Sequence, residues 1–185
     1  MTEKVSTRDL VLMALFAGVM AALGLLPKVP LPLGGVPITA QSMGVMLAGG
    51  ILGARRGAGA MAIFVALVAL GLPLLAGGRG GLGVFAGPSG GFIVGFILGA
   101  YVTGWMAECL PLRVGLPRYL LAAIIGGIGG VYLLGVPYWA MQSGSTLWSV
   151  LTISVNFLPG DLIKAGLAAL VTAAVQRGYP VLNRA

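Results

Sequence analysis

Histidine is absent from the 185 residues, cysteine occurs once, and four acidic side chains stand against eleven lysines and arginines. A single thiol excludes an intramolecular disulfide, and without histidine a Cys/His metal site has no ligands to draw on. Cys109, near the end of an apolar run, reads as a small apolar residue. Charge of either sign is scarce. Charged residues make up 8% of the chain, where soluble domains carry roughly 25%. Such a composition does not suit a water-facing surface, and no segment resembles a soluble domain or a long linker. A Walker-type phosphate loop ending in Gly-Lys-Ser/Thr is missing too, so the chain itself does not bind ATP in that way. The net charge of +7 has the sign of a nucleic-acid binder, but its cations fall at the ends of apolar runs. Nucleic acid is not an expected partner.

What is there is apolar: 58% of the residues are hydrophobic. Six runs can be drawn, at roughly 8–27, 39–54, 57–76, 91–110, 118–138 and 158–176. The expectation is therefore an all-α integral membrane protein with six transmembrane helices in a single domain, 1–185. The first run is long and five more follow, so it is not read as a cleavable signal. With the N-terminus taken as cytoplasmic, Lys4, Arg8, Arg55, Arg56, Arg113, Arg118, Arg177 and Arg184 lie inside. Lys28 and Arg79 lie outside. Eight against two is a positive-inside bias that puts both termini in the cytoplasm. Lys164, within the last span, belongs to neither set.

Glycine fills 32 of 185 positions, more than twice the roughly 7% background. Most of that excess suits close helix packing. In "ALFAGVMAALG" (14–24), Ala14, Gly18 and Ala22 recur every four residues, as do Ala17 and Ala21. These faces fit either internal packing or a partner membrane protein. "GGRGGLGVFAGPSGG" (77–91) is different: eight glycines and one arginine stand between two spans on the outer side. Arg79 suits lipid phosphate or, through its planar fork, an anionic ligand; flanking glycines let backbone close over the latter. The G-x-G-x-x-G within it follows no strand and is a chance match.

Polar groups inside spans are few, and each has two readings. In "PGDLIKAG" (159–166), Asp161 and Lys164 share one helix face. They form either a self-satisfying ion pair at a span end or the polar floor of a pocket near the outer face. Gln41 and Asn156, near outer span ends, either cap backbone or reach that pocket. Phe85 and Ser89 of the glycine-rich loop complete the candidate ligand-binding set. "GPSG" (87–90) has the G-x-S-G form of rhomboid-type intramembrane proteases. Ser89 reads as a helix N-cap, and a Ser89–Lys164 hydrolase stands as an alternative. Asp161 opposes it by favouring the ammonium form of Lys164. Trp139 and Trp148, in a long outer segment able to carry a short interfacial helix, read as interface anchors or ligand-stacking groups.

Three blocks, "PITAQSMGVMLAG" (37–49), "GGRGGLGVFAGPSGGFIVGF" (77–96) and "PGDLIKA" (159–165), agree in order and spacing with one family. The chain resembles BioY, the biotin-binding S component of energy-coupling factor (ECF) transporters, from about residue 7 to 176. The resemblance implies the six-helix S-component fold and no enzymatic activity, resident cofactor or metal. It implies biotin bound near the extracellular side, under the loops between helices 1–2 and 3–4, with Arg79, Asp161 and Lys164 at the vitamin. It further implies that the small residues of helix 1 dock on a transmembrane coupling protein, which binds two ATPase subunits, in a prokaryotic cytoplasmic membrane. The Asp/Lys/Arg set also suits other small anionic vitamins. One departure is that Phe92 stands where an aromatic hydroxyl is often found.

Overall fold

The computed structural model describes residues 6–29, 36–110, 115–179 and 181–182. The expected Lys4, Arg113 and Arg184 of the inner set lie outside these residues. Six helices follow one another: α1 Thr7–Gly24, α2 Gln41–Leu52, α3 Ala54–Ala69, α4 Gly90–Cys109, α5 Leu116–Ser143 and α6 Leu147–Gly178. Helix α1 begins at a reciprocal cap. Ser6 Oγ accepts from the Asp9 amide, and the Asp9 carboxylate accepts from the Ser6 amide. Among the described residues there is no strand, only the isolated bridges Val29–Ile38 and Leu75–Arg79.

Four helices, α1, α4, α5 and α6, are long and apolar enough to cross a membrane. The second and third runs are shorter than expected. Helix α2 has 12 residues and α3 has 16, so α2 rises about 18 Å against a hydrocarbon core of roughly 30 Å. Gly53, at φ 88°, breaks the chain between them, a left-handed conformation that glycine alone adopts readily. At its far end α3 stops at Ala69, before Gly71 at φ 105° and Pro73. The stretch 70–76, expected as helix, is therefore loop. Helix α2 is the centre of the bundle: Val45, Met46 and Ala48 are fully covered. Glycines let the backbones meet around it, since a methyl on Gly104 would run into the backbone of Gly53 and Ala54.

Helix α5 outruns its expected 118–138 in both directions and contains a π-helical stretch, Ala123–Gly130. Four of its eight residues are glycines, and Gly126 and Gly130 lie directly on α4. Helix α6 has a lead-in, Leu147–Ser154, capped by the Thr146 hydroxyl on the Ser149 amide. A 3-10 turn, Val155–Phe157, joins it to the long part, Leu158–Gly178. The lead-in is the short helix foreseen for the outer segment, with Trp148 78% exposed on it. Trp139 corrects its assignment as an anchor. At 5% exposure it packs against Phe92 and Phe157, with ring centroids 6.4 and 6.2 Å away.

The start of α1 and the end of α6 meet at one end of the bundle, where Arg8 donates to the Tyr179 hydroxyl. There too Arg56 pairs with Asp9 at 2.7 Å, and Glu108 accepts from the Ala54 amide. Helix α1 is the least enclosed of the six. Ala14, Gly18 and Ala22 point outward, as do Leu10, Val11 and Leu15. The other small row turns inward. Ala17, expected on a docking face, is 4% exposed and sits in the core, and Ala21 is half-buried against it.

Candidate functional site

At the opposite end of the bundle the start of α2, the loop 70–89 and the start of the long part of α6 enclose a cleft with about 70 Å³ of internal space. Its apolar wall comes from α4 and α5, with Phe92, Ile93, Phe96 and Val131. Phe157 adds to it, and the rings of Phe92, Tyr132 and Phe157 meet edge to face at 5.9–6.5 Å, contacts worth about 0.5–1.5 kcal/mol each beyond their area.

The polar floor is built on the first turns of the long part of α6. Asp161 and Lys164 pair at 2.7 Å, as their three-residue spacing predicts, but they do not satisfy only each other. Lys164 also donates to the Thr39 carbonyl at 2.9 Å and to Ser42 Oγ at 2.8 Å, using all three ammonium protons. Asp161 Oδ1 accepts from Ser42, and Oδ2 accepts from the Tyr132 hydroxyl at 2.6 Å. Asp161 is 5% exposed. Two charges this enclosed are tolerable because every strong valence is met. Tyr132 and Ser42 escaped the sequence reading. A tyrosine in "GGVYLLG" or a serine in "AQSMG" carries no cost that marks it as polar machinery. Tyr132 also bears on the Phe92 departure: its ring centroid lies 5.9 Å from that of Phe92, and it brings from α5 the hydroxyl that Phe92 lacks.

Arg79 lies on the roof. The chain folds back on itself through paired Leu75 and Arg79 backbone bonds of 3.0 and 3.2 Å, with Gly77, Gly78 and Gly81 at positive φ. The Arg79 side chain lines the cleft, half-buried, and its only described partner is the Ala76 carbonyl at 3.5 Å. Among the described residues no carboxylate neutralises it. Lys28, the other outward cation, lies against Gly77 of the same loop. The roof is pinned at two places. Gln41, 2% exposed, bonds to backbone at Leu74 and Ala76, and the Tyr138 hydroxyl donates to the Phe85 carbonyl at 2.6 Å.

Of the candidate residues, the cleft gathers Arg79, Asp161, Lys164, Gln41 and Ser89. Ser89 stands at the N-cap position of α4 but makes no capping bond; its side chain faces the cleft, 8% exposed. Phe85 is outside the lining, contributing the carbonyl that Tyr138 holds. Asn156 is exposed and bonds to the Ile153 carbonyl in its own turn, the backbone-capping alternative.

A fold and a site of this kind occur in known proteins. The family model described as BioY family matches residues 1–181. The chain is 53% identical over 182 residues to a biotin transporter BioY from Rhizobium etli, covering 96% of this chain and 97% of that one. It is 44% identical over 185 residues to a biotin transporter BioY from Rhodobacter capsulatus, covering 94% and 95%. The crystal structure of the S-component for biotin from an ECF-type ABC transporter superposes with a TM-score of 0.87 at 32% identity, covering 96% of this chain and 95% of that one. Extended over nearly the whole chain and in the fold alike, these similarities place the protein: it belongs to the BioY family.

Proposed function

We propose that this chain captures biotin at the outer face of a prokaryotic cytoplasmic membrane and delivers it inward as the substrate-binding component of an ECF-type transporter. What carries the reading is the cleft itself: an apolar wall, a hydrogen-bonded Asp161–Lys164 floor and an unneutralised Arg79 on a glycine-rich roof. Biotin offers matching chemistry. Its ureido ring has two N–H donors and one carbonyl, its thiophane ring is apolar and its tail ends in a carboxylate. Asp161 accepts from the ureido N–H groups, Lys164 donates to the ureido oxygen, the aromatic wall takes the thiophane ring and Arg79 takes the tail. Biotin takes over bonds that Asp161 and Lys164 now make with Ser42 and Tyr132. The two termini and most cations then lie on the cytoplasmic side. The outward Ala14, Gly18, Ala22 row of α1 faces the transmembrane coupling protein, whose two ATPase subunits supply the energy.

The chain is not an enzyme. A hydrolase built on Ser89 needs Lys164 as a base, and Lys164 is engaged by Asp161, Ser42 and the Thr39 carbonyl.

Isothermal titration of the detergent-solubilised chain with biotin and with a biotin amide tests the assignment. Asp161→Asn is expected to weaken both ligands on the order of 10- to 100-fold, the size of a lost charge-assisted hydrogen bond. Arg79→Ala is expected to weaken biotin more than the uncharged amide. Equal losses for the two ligands remove Arg79 from the carboxylate. No heat from a well-folded sample sends the search to other anionic vitamins.

A further inference from the structure

Gln41 does more than line the cleft. Its amide nitrogen donates to the Met20 carbonyl in α1 at 3.2 Å and to the Leu74 carbonyl in the roof loop at 3.1 Å. Its side-chain oxygen accepts from the Ala76 amide at 3.1 Å. Both donors and the acceptor are used, in a side chain 2% exposed. One residue on α2 thus ties three pieces of structure: the cleft, the foot of the Arg79 loop and the outer end of α1. A second contact seals the same junction. Gly24, the last residue of α1, is so close to the loop that a methyl there would run into the Leu74 carbonyl and the Gln41 amide.

We infer that Gln41 is a positioning residue that couples occupancy of the cleft to helix α1. The inference rests on the biotin-capture reading for the identity of the ligand. None of the described cleft-lining residues belongs to α1, so α1 can sense the ligand only through intermediaries. Arg79 sits in the tight turn that begins at Leu75, so a ligand that draws in Arg79 draws on Leu74 and Ala76. Both are fastened to Gln41, and Gln41 is fastened to Met20 one turn before the end of α1. The rest of α1 packs on α3 and is fastened at its far end by the Asp9–Arg56 pair, while its outward face is unenclosed. A tether at its outer end therefore moves the helix that the proposed partner contacts, while direct ligand contacts stay with Asp161, Lys164 and Arg79.

Amide hydrogen exchange of the full chain, with and without saturating biotin, tests this. Biotin is expected to slow exchange in residues 72–86 and also in 20–26, which no ligand touches. Gln41→Met keeps length and apolar volume but removes all three bonds. Because Gln41 also lines the cleft, the variant is expected to bind biotin more weakly, and at biotin concentrations raised to saturate it the protection of 20–26 is expected to be absent. Gly24→Ala, which presses on the same junction, is expected to do the same and decides the matter if Gln41→Met does not fold. A merely structural glutamine would raise exchange equally with and without biotin. The inference is overturned if biotin leaves 20–26 unprotected in the wild type, or if the protection survives in the variants. Wild-type titration separates the two readings: a chain that binds biotin without protecting 20–26 sinks the coupling and leaves capture standing, while one that binds no biotin sinks both.

Discussion

Tyr132 shows how one hydroxyl can decide the strength of an apolar cleft. Its oxygen donates to Asp161 at 2.6 Å while its ring meets Phe92 and Phe157 edge to face. Removing the hydroxyl keeps the ring and leaves one carboxylate oxygen of a buried acid without its donor. Because biotin takes over this bond, the open acceptor burdens only the free protein, and Tyr132→Phe is expected to retain fold and ring packing and to tighten biotin by about 1–2 kcal/mol, roughly 5- to 30-fold. Titration measures the change and aromatic circular dichroism checks the packing; unchanged affinity would mean Asp161 is positioned without α5. At this scale, legibility followed cost. Asp161, Lys164 and Arg79 stood out in the sequence because charge in or beside a membrane span is expensive. Gln41 stood out more weakly, as a neutral amide. Tyr132 and Ser42 were invisible because a hydroxyl on a ring or a short side chain is tolerated anywhere. Asn156 looked equivalent to Gln41 in sequence, yet it bonds within its own turn while Gln41 spans three elements.

Among the elements, glycine carries two different jobs that composition cannot separate. In α4 and α5 it brings backbones together, as the runs of small residues implied. At Gly53 it terminates α2, which is why one expected span became a 12-residue helix. The sequence "GGILGARRGAG" (49–59) holds both kinds without distinguishing them, and the boundary error followed from that. Gly53→Ala has a specific cost. At φ 88° the methyl is strained, and it would also collide with the Glu108 carboxylate that caps the Ala54 amide. A loss of about 1–3 kcal/mol is expected from the conformation alone, read as a lower thermal midpoint in detergent. Biotin affinity of the folded fraction should be unchanged, because the cleft lies at the other end of the bundle. A coupled loss of affinity would show that the two ends are not independent.

For the whole molecule, sidedness follows from where the charges ended up. The helix count and the cation asymmetry were readable because insertion physics writes them into any helical membrane chain. Tertiary arrangement was not, since a stripe of alanines fits an internal contact and a partner equally; only packing turned Ala17 inward and left Ala14, Gly18 and Ala22 outward. The structure brings Arg8, Arg56, Glu108 and Tyr179 to one end and the cleft to the other. If the positive-inside rule governs, the exposed Cys109 beside Glu108 reports the cytoplasmic side. Gly83, in an open part of the roof loop with nothing near its missing side chain, reports the outside. In right-side-out vesicles a membrane-impermeant maleimide is expected to spare Cys109 until the membrane is permeabilised. With Cys109→Ser, a Gly83→Cys variant should label at once, and biotin should slow that labelling as the roof settles over the vitamin. Reversed accessibility would place the cleft in the cytoplasm, where Arg79 and its glycine loop would face product release rather than capture.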